Sequence, residues 1–316
     1  MDQTLPIEIS VDRLSYTSIP IALIYSPTPT LLANATACLY SYKGKIYLIT
    51  NWHNVTGTNP ITKLPIGNHA GRPDILDYVL MKEDQTFEWE TYSIGLYDDE
   101  GNAQWYYHPG HNEAIDVIAI EISTTEHFKF KNQPVNDIDY QSGILKSGDI
   151  TFILGFPEGL TGGENLPIWK RGSIASQPGM SIQGLPKILI DTASRPGMSG
   201  SPVFFRRTGV HIPSGVFDES TNIGTIEDFV GIYSGRLPGK TTFDAQIGID
   251  DERIRNLIQN KLIHDMPLVP RKWNKANNPH VPMIDANGKP YLYQPNQQIR
   301  AIKFFAGVGC NSSMFY

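Results

Sequence analysis

Short apolar runs separated by glycine and proline fill most of the chain. The runs are rich in Ile, Val, Tyr and Phe, a pattern typical of β-strands joined by turns. It predicts ten strands, at residues 21–25, 37–42, 46–50, 87–92, 115–122, 150–155, 168–176, 187–191, 202–205 and 230–234. Because many short strands with few helical patterns favour barrels or sandwiches, we expect an all-β chain with two such units.

Three segments depart from this pattern or refine it. Lys43-Gly44-Lys45 predicts a hairpin turn in which Gly44 takes a positive φ. Residues 250–263 carry apolar positions at helical spacing after three carboxylates, which predicts an amphipathic helix that closes the second unit. Residues 266–316 are rich in Pro and Asn, then turn apolar again, and are expected to form an extended arm with one or two late strands.

Composition narrows the classes of protein. Lys and Arg number 26 against 32 Asp and Glu, a formal net charge of -6, which makes a nucleic-acid binder unexpected. No apolar stretch reaches the roughly 20 residues that span a bilayer, and Met1 to Asp12 lacks the basic and apolar regions of a signal peptide. The two cysteines, Cys38 and Cys310, cannot form a disulfide framework. We therefore expect a reduced, cytoplasmic protein with no membrane partner.

The segment from Arg195 to Pro202 carries the sharpest chemical signal, Arg-Pro-Gly-Met-Ser-Gly-Ser-Pro between two predicted strands. A nucleophilic serine needs an exposed hydroxyl on a tight loop whose backbone N–H groups converge on an oxyanion. Gly197 permits the required backbone twist, and Gly200 keeps the loop free of obstructing side chains. A plain Gly/Ser/Pro turn is the alternative, so this segment alone does not identify Ser199 as a nucleophile.

Two further segments supply partners for a nucleophile. His53 directly follows the apolar run that ends at Thr50, and Asp116 stands at the start of a strongly apolar predicted strand. Each residue alone is more often structural. Together His53, Asp116 and Ser199 follow the chain order of the chymotrypsin-type triad. Asp98 and Asp99 compete for the carboxylate role, but their polar, Gly-flanked surroundings predict a hairpin tip.

In these motifs, the chain resembles the trypsin-like serine peptidases of the chymotrypsin fold. Residues 191–200 are similar in style to the bacterial high-temperature-requirement proteases and to bacterial trypsin-like peptidase domains. The upstream strand and Gly-x-Pro turn at 152–157, followed by 172–176, are similar as well. Residues 230–236 resemble the strand on which such enzymes pair the substrate backbone. The resemblance covers about residues 21–263.

The sequence departs from the animal trypsins at two places. Met198 occupies the position of the Asp that receives a newly cut N-terminus in those enzymes, so activation by that ion pair is excluded. Cys38 matches one half of the disulfide beneath their catalytic His, but Asn54 follows His53 where the other half would stand. Both departures are typical of an intracellular enzyme that is not a secreted zymogen.

The resemblance implies two six-stranded antiparallel Greek-key barrels with a C-terminal helix and arm. Residues 1–135 would form the barrel that carries the His and Asp, and residues 136–263 the barrel that carries the Ser together with the closing helix. Residues 264–316 would form an arm of unassigned role. About 50 residues after the helix are too few for a downstream peptide-binding domain.

The resemblance also implies roles for individual residues. Ser199 would be the nucleophile, His53 the general base and Asp116 its orienting carboxylate, while the N–H groups of Gly197 and Ser199 would form the oxyanion hole. This chemistry needs no metal or organic cofactor. The predicted function is cleavage of a specific protein substrate, regulated by a partner, a disordered catalytic loop or the C-terminal arm. A catalytically silent peptide-binding scaffold and an esterase are the alternatives.

Four residues are predicted to bind the substrate. Ala193 would line the base of the primary pocket, which favours a small or medium apolar side chain before the cut. Ser234 and Gly235 would pair with the substrate backbone. Arg236 occupies a position at the pocket rim that is usually Gly in the family. It is either a solvated loop residue or, if it enters the pocket, a selector of acidic side chains.

Overall fold

The computed structural model describes residues 10–66, 72–83, 87–108, 110–124, 129–193, 195–212, 216–235 and 245–248. Within these residues the chain is dominated by antiparallel strands with few helical turns, so the all-β prediction is confirmed. None of the helices in the described ranges is long and apolar enough to cross a bilayer. The predicted helix at 250–263 and the arm at 264–316 lie outside the described residues.

The first sheet comes from the first half of the chain. Its strands are β1 (Ser18–Tyr25), β2 (Thr30–Tyr42), β3 (Lys45–Thr50), β4 (Ile75–Met81), β5 (Trp89–Gly95), β6 (Tyr106–Tyr107) and β7 (Ile118–Thr124), in the order β5-β4-β1-β2-β3-β7-β6. A short helix, α1 (Trp52–Thr56), follows β3, and a 3-10 turn (Glu113–Ile115) precedes β7. Both lie at the same end of two paired strands, because Thr50 pairs with Ile118.

The second sheet comes from the later part of the chain. Its strands are β8 (Ile150–Gly155), β9 (Ile168–Ile174), β10 (Ile188–Asp191), β11 (Pro202–His211), β12 (Asn222–Ile232) and β13 (Ala245–Gly248), in the order β12-β11-β8-β9-β10-β13. Two more 3-10 turns lie at Arg13–Thr17 and Pro157–Gly159. The end strands β12 and β13 approach each other, so this sheet curls toward a barrel.

Several expectations about the strands need correction. The first sheet has seven strands instead of six, and among the described residues its end strands β5 and β6 do not pair with each other. The sequence does not predict β4 because Asp77 interrupts its apolar run, although Leu76, Tyr78 and Leu80 alternate into the core. The predicted hairpin turn is confirmed, with φ of 48° at Lys43 and 70° at Gly44.

The buried side chains form three groups. One fills the first sheet around Trp52, and one fills the second around Met198. The third joins the sheets and contains Leu14, Cys38, Tyr40, Tyr47, Ile49, Ile115, Val135, Ile138, Leu154, Phe204, Phe229 and Ile232. Since burial of each large aliphatic or aromatic side chain contributes about 1.5–3 kcal/mol, this shared group fixes the sheets relative to each other.

The thiol of Cys38 belongs to this shared group. The residue is completely buried, and burial raises the pKa of its thiol far above the ordinary value. Cys38 therefore acts as a small apolar side chain instead of a reactive thiolate. Cys310 lies outside the described residues.

A carboxylate in β12 ties the N-terminal segment to the second sheet. Glu227 is 6% exposed and accepts hydrogen bonds from the guanidinium groups of Arg13, at 2.6 and 3.1 Å, and Arg206, at 2.7 Å. Arg206 also binds Asp12 and stacks over the ring of Trp169 at 5.1 Å. Because the carboxylate is buried and both cations face it, this network should stabilise the fold more than a surface pair does.

We predict that Glu227→Gln lowers the free energy of unfolding by about 2–3 kcal/mol, because two guanidinium groups lose their shared anion. Glu121→Gln is the matched control, since Glu121 pairs with Lys45 at 2.7 Å but is 34% exposed. The control should cost less than about 1 kcal/mol. Urea unfolding of both variants measures the difference, and equal losses would contradict a special role for Glu227.

Candidate active site

His53 is positioned by the short helix that follows β3. The neighbouring side chains Trp52 and Val55 are fully buried and fix α1 on the first sheet. Gly57 ends the helix in a left-handed conformation, and its N–H donates to the carbonyl of His53 at 2.9 Å. The His53 side chain is 15% exposed. The imidazole is therefore held firmly at its base while part of the ring remains accessible.

Asp116 occupies a conformation that the sequence did not predict. It ends the 3-10 turn with a φ of 53°, and β7 begins only at Ile118, so the expectation that it starts a strand is wrong. Its carbonyl accepts hydrogen bonds from the Trp52 N–H at 3.3 Å and the Asn51 side-chain amide at 2.8 Å. These hydrogen bonds keep Asp116 out of the strand pairing of β7 and direct its carboxylate toward α1.

The Asp116 carboxylate is held by donors on both oxygens. Its Oδ1 accepts the backbone N–H of His53 at 3.0 Å, and its Oδ2 lies 2.7 Å from His53 Nδ1. The hydroxyl of Ser234 also donates to Oδ2. Because a carboxylate only accepts hydrogen bonds, Nδ1 carries the ring proton and a neutral His53 keeps its lone pair on Nε2. That nitrogen is the one a general base uses.

The loop that carries Ser199 requires glycine at two positions. Gly197 and Gly200 have φ of 91° and 88°, values that favour glycine. A Cβ on Gly197 would overlap the carbonyl oxygen of Phe156 and come within 2.6 Å of Glu158 N. Met198, between the nucleophile candidate and Gly197, is fully buried and anchors the loop in the second sheet.

Thr36 of β2 joins the first sheet to this loop by hydrogen bonds. The Thr36 hydroxyl donates to the Gly197 carbonyl at 2.8 Å and accepts the Phe156 N–H at 3.1 Å. Its backbone N–H donates to the Ser199 carbonyl at 2.9 Å. The amide of Asn54, the neighbour of His53, reaches the same carbonyl at 3.3 Å. The Ser199 loop is therefore fixed to the elements that carry His53.

The side chain of Ser199 points at the strand end beyond β12. Its hydroxyl donates to the Ser234 carbonyl at 3.5 Å, a long and weak hydrogen bond. In the part of the chain that the structure describes, this is the bond that the hydroxyl makes, and none reaches His53. Ser234 thus contacts Ser199 through its carbonyl and Asp116 through its hydroxyl, so the structure brings His53, Asp116 and Ser199 to one junction of the two sheets.

The backbone around Gly197 leaves two donors unengaged. Among the described residues, no acceptor binds the N–H of Gly197 or of Ser199. The carbonyl of Pro196 accepts the Glu158 N–H at 2.7 Å. Since a trans peptide points its N–H opposite to its C=O, the Gly197 N–H faces away from Glu158. Both donors therefore have the freedom that an oxyanion hole requires.

The other predicted site residues have different surroundings. Ala193 follows β10 and is exposed, Gly235 is half-buried, and Arg236 lies outside the described residues. Asp98 accepts backbone hydrogen bonds from Glu100 and Asn102 in its own turn, as the predicted hairpin tip requires. The substrate-binding roles of Ala193, Ser234 and Gly235 remain predictions.

Sequence reasoning missed Thr36 and assigned Ser234 only a backbone role. Thr36 lies in β2, where nothing in the sequence distinguishes it from other threonines. Its partners are 120 and 161 residues away along the chain, so no local pattern reveals them. Ser234 could be recognised as part of the motif at 230–236, but the contact of its hydroxyl with Asp116 is visible only in three dimensions.

Comparisons with known proteins add little to this geometry. No protein-family model matches the chain, and no curated protein matches it. Among solved structures, the crystal structure of Deg5 is similar, with 15% sequence identity and a TM-score of 0.42, over 77% of this chain and 88% of that chain. At this TM-score the likeness supports no inference about activity, so the functional assignment depends on the site itself.

We predict that Thr36→Val weakens both the fold and the site, because it leaves the Gly197 carbonyl and the Phe156 N–H without their buried partner. The free energy of unfolding should fall by about 1–3 kcal/mol. Thr36→Ser, which keeps the hydroxyl, is the matched control and should lose only the contribution of one methyl, about 1 kcal/mol. Chemical unfolding measures both, and an equal or larger loss in the Ser variant would contradict a role for the Thr36 hydroxyl.

We predict that Gly197→Ala slows the reaction of Ser199 with a fluorophosphonate probe by about 10²- to 10³-fold, because the clash displaces an oxyanion donor. Gly148→Ala is the control for backbone strain: its φ is 85°, but no atom lies within 4 Å of the added Cβ. The control should label at the wild-type rate. Equal labelling rates in the two variants would exclude the proposed donor.

Proposed function

We propose that the chain is a trypsin-like serine endopeptidase that hydrolyses peptide bonds of a specific protein substrate. The observation that carries this proposal is the Asp116 carboxylate, which binds both the ring and the backbone of His53 at the junction where Ser199 lies. With its proton on Nδ1, the partly exposed His53 ring keeps a lone pair on Nε2, which a purely structural histidine does not need. The arrangement is the one expected of a base held in a single tautomer.

The proposed reaction begins with acylation of Ser199. Rotation of the hydroxyl away from the Ser234 carbonyl brings it toward His53 Nε2, which accepts the proton as Oγ attacks the scissile carbonyl carbon. Asp116 stabilises the resulting imidazolium, and the N–H groups of Gly197 and Ser199 receive the oxyanion. When the tetrahedral intermediate collapses, the peptide C–N bond breaks and His53 protonates the leaving amine.

Deacylation uses the same groups with water in place of the amine. His53 Nε2 takes a proton from the water molecule, whose oxygen attacks the acyl carbon. The ester bond to Ser199 Oγ then breaks, and the proton returns to that oxygen. Every proton moves between substrate, water, His53 and Ser199. The proton transfers therefore balance among these groups.

The proposal extends to the substrate and to control of activity. Ser234 and Gly235 present strand backbone next to Ser199, where an extended substrate can pair on the N-terminal side of the cut. We propose that Ala193, exposed after β10, lines the base of the primary pocket and favours a small or medium apolar side chain before the cut. Because open specificity would damage a host cell, we also propose narrow specificity and a protein regulator.

One observation favours the catalytically silent scaffold as the second candidate. The Ser199 hydroxyl is hydrogen-bonded to the Ser234 carbonyl instead of to His53. In a scaffold this rotamer would be permanent, whereas in an enzyme it is a resting state that tightens on binding substrate. The two candidates therefore differ in whether the hydroxyl is ever activated.

A fluorophosphonate probe separates the two candidates, because it phosphonylates only an activated serine. We predict that the wild type is labelled at Ser199 and that Ser199→Ala is not. Asp116→Asn should still fold but should label about 10⁴-fold more slowly, since an amide in that place no longer holds the correct tautomer. Mass spectrometry of the labelled peptide gives the site, and an unlabelled wild type would favour the scaffold.

Mapping of new protein N-termini in cells that express the wild type or Ser199→Ala identifies cleaved proteins. We expect termini that appear only with the wild type and share a residue preference before the cut. Turnover of short acyl esters without any new terminus would instead support the esterase alternative.

A further inference from the structure

His108 directly follows β6, and its side chain is buried. The residue is 6% exposed. Its Nδ1 accepts two backbone hydrogen bonds, from the N–H of Gly110 at 3.0 Å and from the N–H of His111 at 2.9 Å. Because a ring nitrogen that accepts a hydrogen bond carries no proton, a neutral His108 has its proton on Nε2. The imidazole therefore holds the following turn only while Nδ1 is unprotonated.

The turn held by His108 leads to Asp116 through overlapping backbone hydrogen bonds. The His108 carbonyl accepts the Asn112 N–H at 2.7 Å, and the Asn112 carbonyl accepts the Ile115 N–H at 3.3 Å. The Asp116 N–H donates to the Glu113 carbonyl at 2.9 Å. Asn112 has a φ of 47°, in the region that favours glycine, so its surroundings must hold it there. The conformation at Asp116 thus depends on the turn that His108 closes.

Strand pairing fixes both ends of this connection. Strand β6 pairs with β7, and Tyr107 lies opposite Ile118, two residues beyond Asp116. His108 therefore stands beside the strand end from which Asp116 departs. Because the paired strands hold the ends in place, opening of the turn shifts the residues between them, and Asp116 is one of these.

We infer that His108 is a positioning residue for Asp116: its unprotonated Nδ1 holds the turn that places the carboxylate against His53. A proton on Nδ1 would face two N–H donors, so a protonated His108 must leave the turn. Acid therefore opens the turn and releases Asp116. The consequence for catalysis rests on the proposed function, whereas the contact between Asp116 and His53 can be measured without it.

The charged and titratable groups around the turn are compatible with this inference. The centre of the His111 ring lies 4.8 Å from that of His108, so a proton on one imidazole opposes a proton on the other. From the loop after α1, Lys63 Nζ lies 2.8 Å from Glu113 Oε1. The Asp116 carboxylate accepts the hydrogen bonds described above, and β6 contributes two tyrosines, which carry no charge at acid or neutral pH.

Substitution by asparagine tests whether His108 must be neutral. The required geometry already occurs at Asn59, whose Oδ1 accepts the N–H groups two and three residues further on, those of Ile61 and Thr62, both at 2.9 Å. These are the same relative positions that His108 Nδ1 binds. His108→Asn should therefore keep the turn and remove the group that binds a proton.

The first measurement is unfolding by urea at about pH 7.5 and about pH 5. A histidine in the unfolded chain binds a proton below about pH 6.5, whereas the native turn excludes one at position 108. On acidification the equilibrium constant for unfolding should rise about 30-fold more in the wild type than in His108→Asn. His111→Asn is the matched control, because His111 is exposed, and it should follow the wild type within about threefold. Equal rises in the wild type and His108→Asn would overturn the inference.

The second measurement reports the position of Asp116. His108→Leu keeps an apolar side chain but offers no acceptor. At about pH 7.5, His108→Asn should react with the fluorophosphonate probe at Ser199 within about twofold of the wild-type rate, and His108→Leu about tenfold more slowly, as the loss of neutral hydrogen bonds predicts. Nitrogen NMR should show the His53 proton on Nδ1 in His108→Asn, but both tautomers in His108→Leu, because Asp116 no longer selects one.

The outcomes separate this inference from the proposed function. If the wild type is not labelled, the proposed function fails, and the pH comparison and the nitrogen signals of His53 decide the role of His108. If the wild type is labelled and His108→Leu matches it in rate and in tautomer, only the inference is overturned. If His108→Leu does not fold, the pH comparison between the wild type and His108→Asn decides alone.

Discussion

The geometry of the site depends on the buried carboxylate of Asp116, which binds groups from both sheets. It accepts the ring and backbone N–H groups of His53 from the first sheet and the hydroxyl of Ser234 from beyond the second. A buried carboxylate without such donors would be costly. The energetic need to satisfy one anion therefore fixes the tautomer of the imidazole and brings the end of β12 to the site.

A second constraint holds the Ser199 loop at the junction where this anion lies. The Ser199 loop belongs to the second sheet, yet Thr36 and Asn54 of the first sheet bind its backbone. The apolar group shared by the sheets keeps these elements in register. Site geometry is thus a consequence of how the sheets pack, and a change that shifts one sheet should disturb the site before it unfolds the chain.

Much of the fold and the identity of the site residues could be predicted from local pattern. Apolar runs predict strands because a half-buried strand needs them, and a histidine where a strand ends stands at the rim of a sheet. The same reasoning placed Asp116 wrongly, because its conformation is set by hydrogen bonds from Asn51 and Trp52 that are distant in sequence. The roles of Thr36 and of the Ser234 hydroxyl also depend on contacts more than 100 residues apart, and no periodicity encodes these.

In the proposed site, Asp116 holds the proton of His53 on Nδ1 and leaves Nε2 as the base. Nitrogen NMR of protein labelled at histidine reports directly which ring nitrogen carries the proton, with the signals assigned by comparison with His53→Gln. We expect neutral His53 to be protonated at Nδ1. A proton found on Nε2 instead would contradict it, because that nitrogen could no longer accept the proton of Ser199.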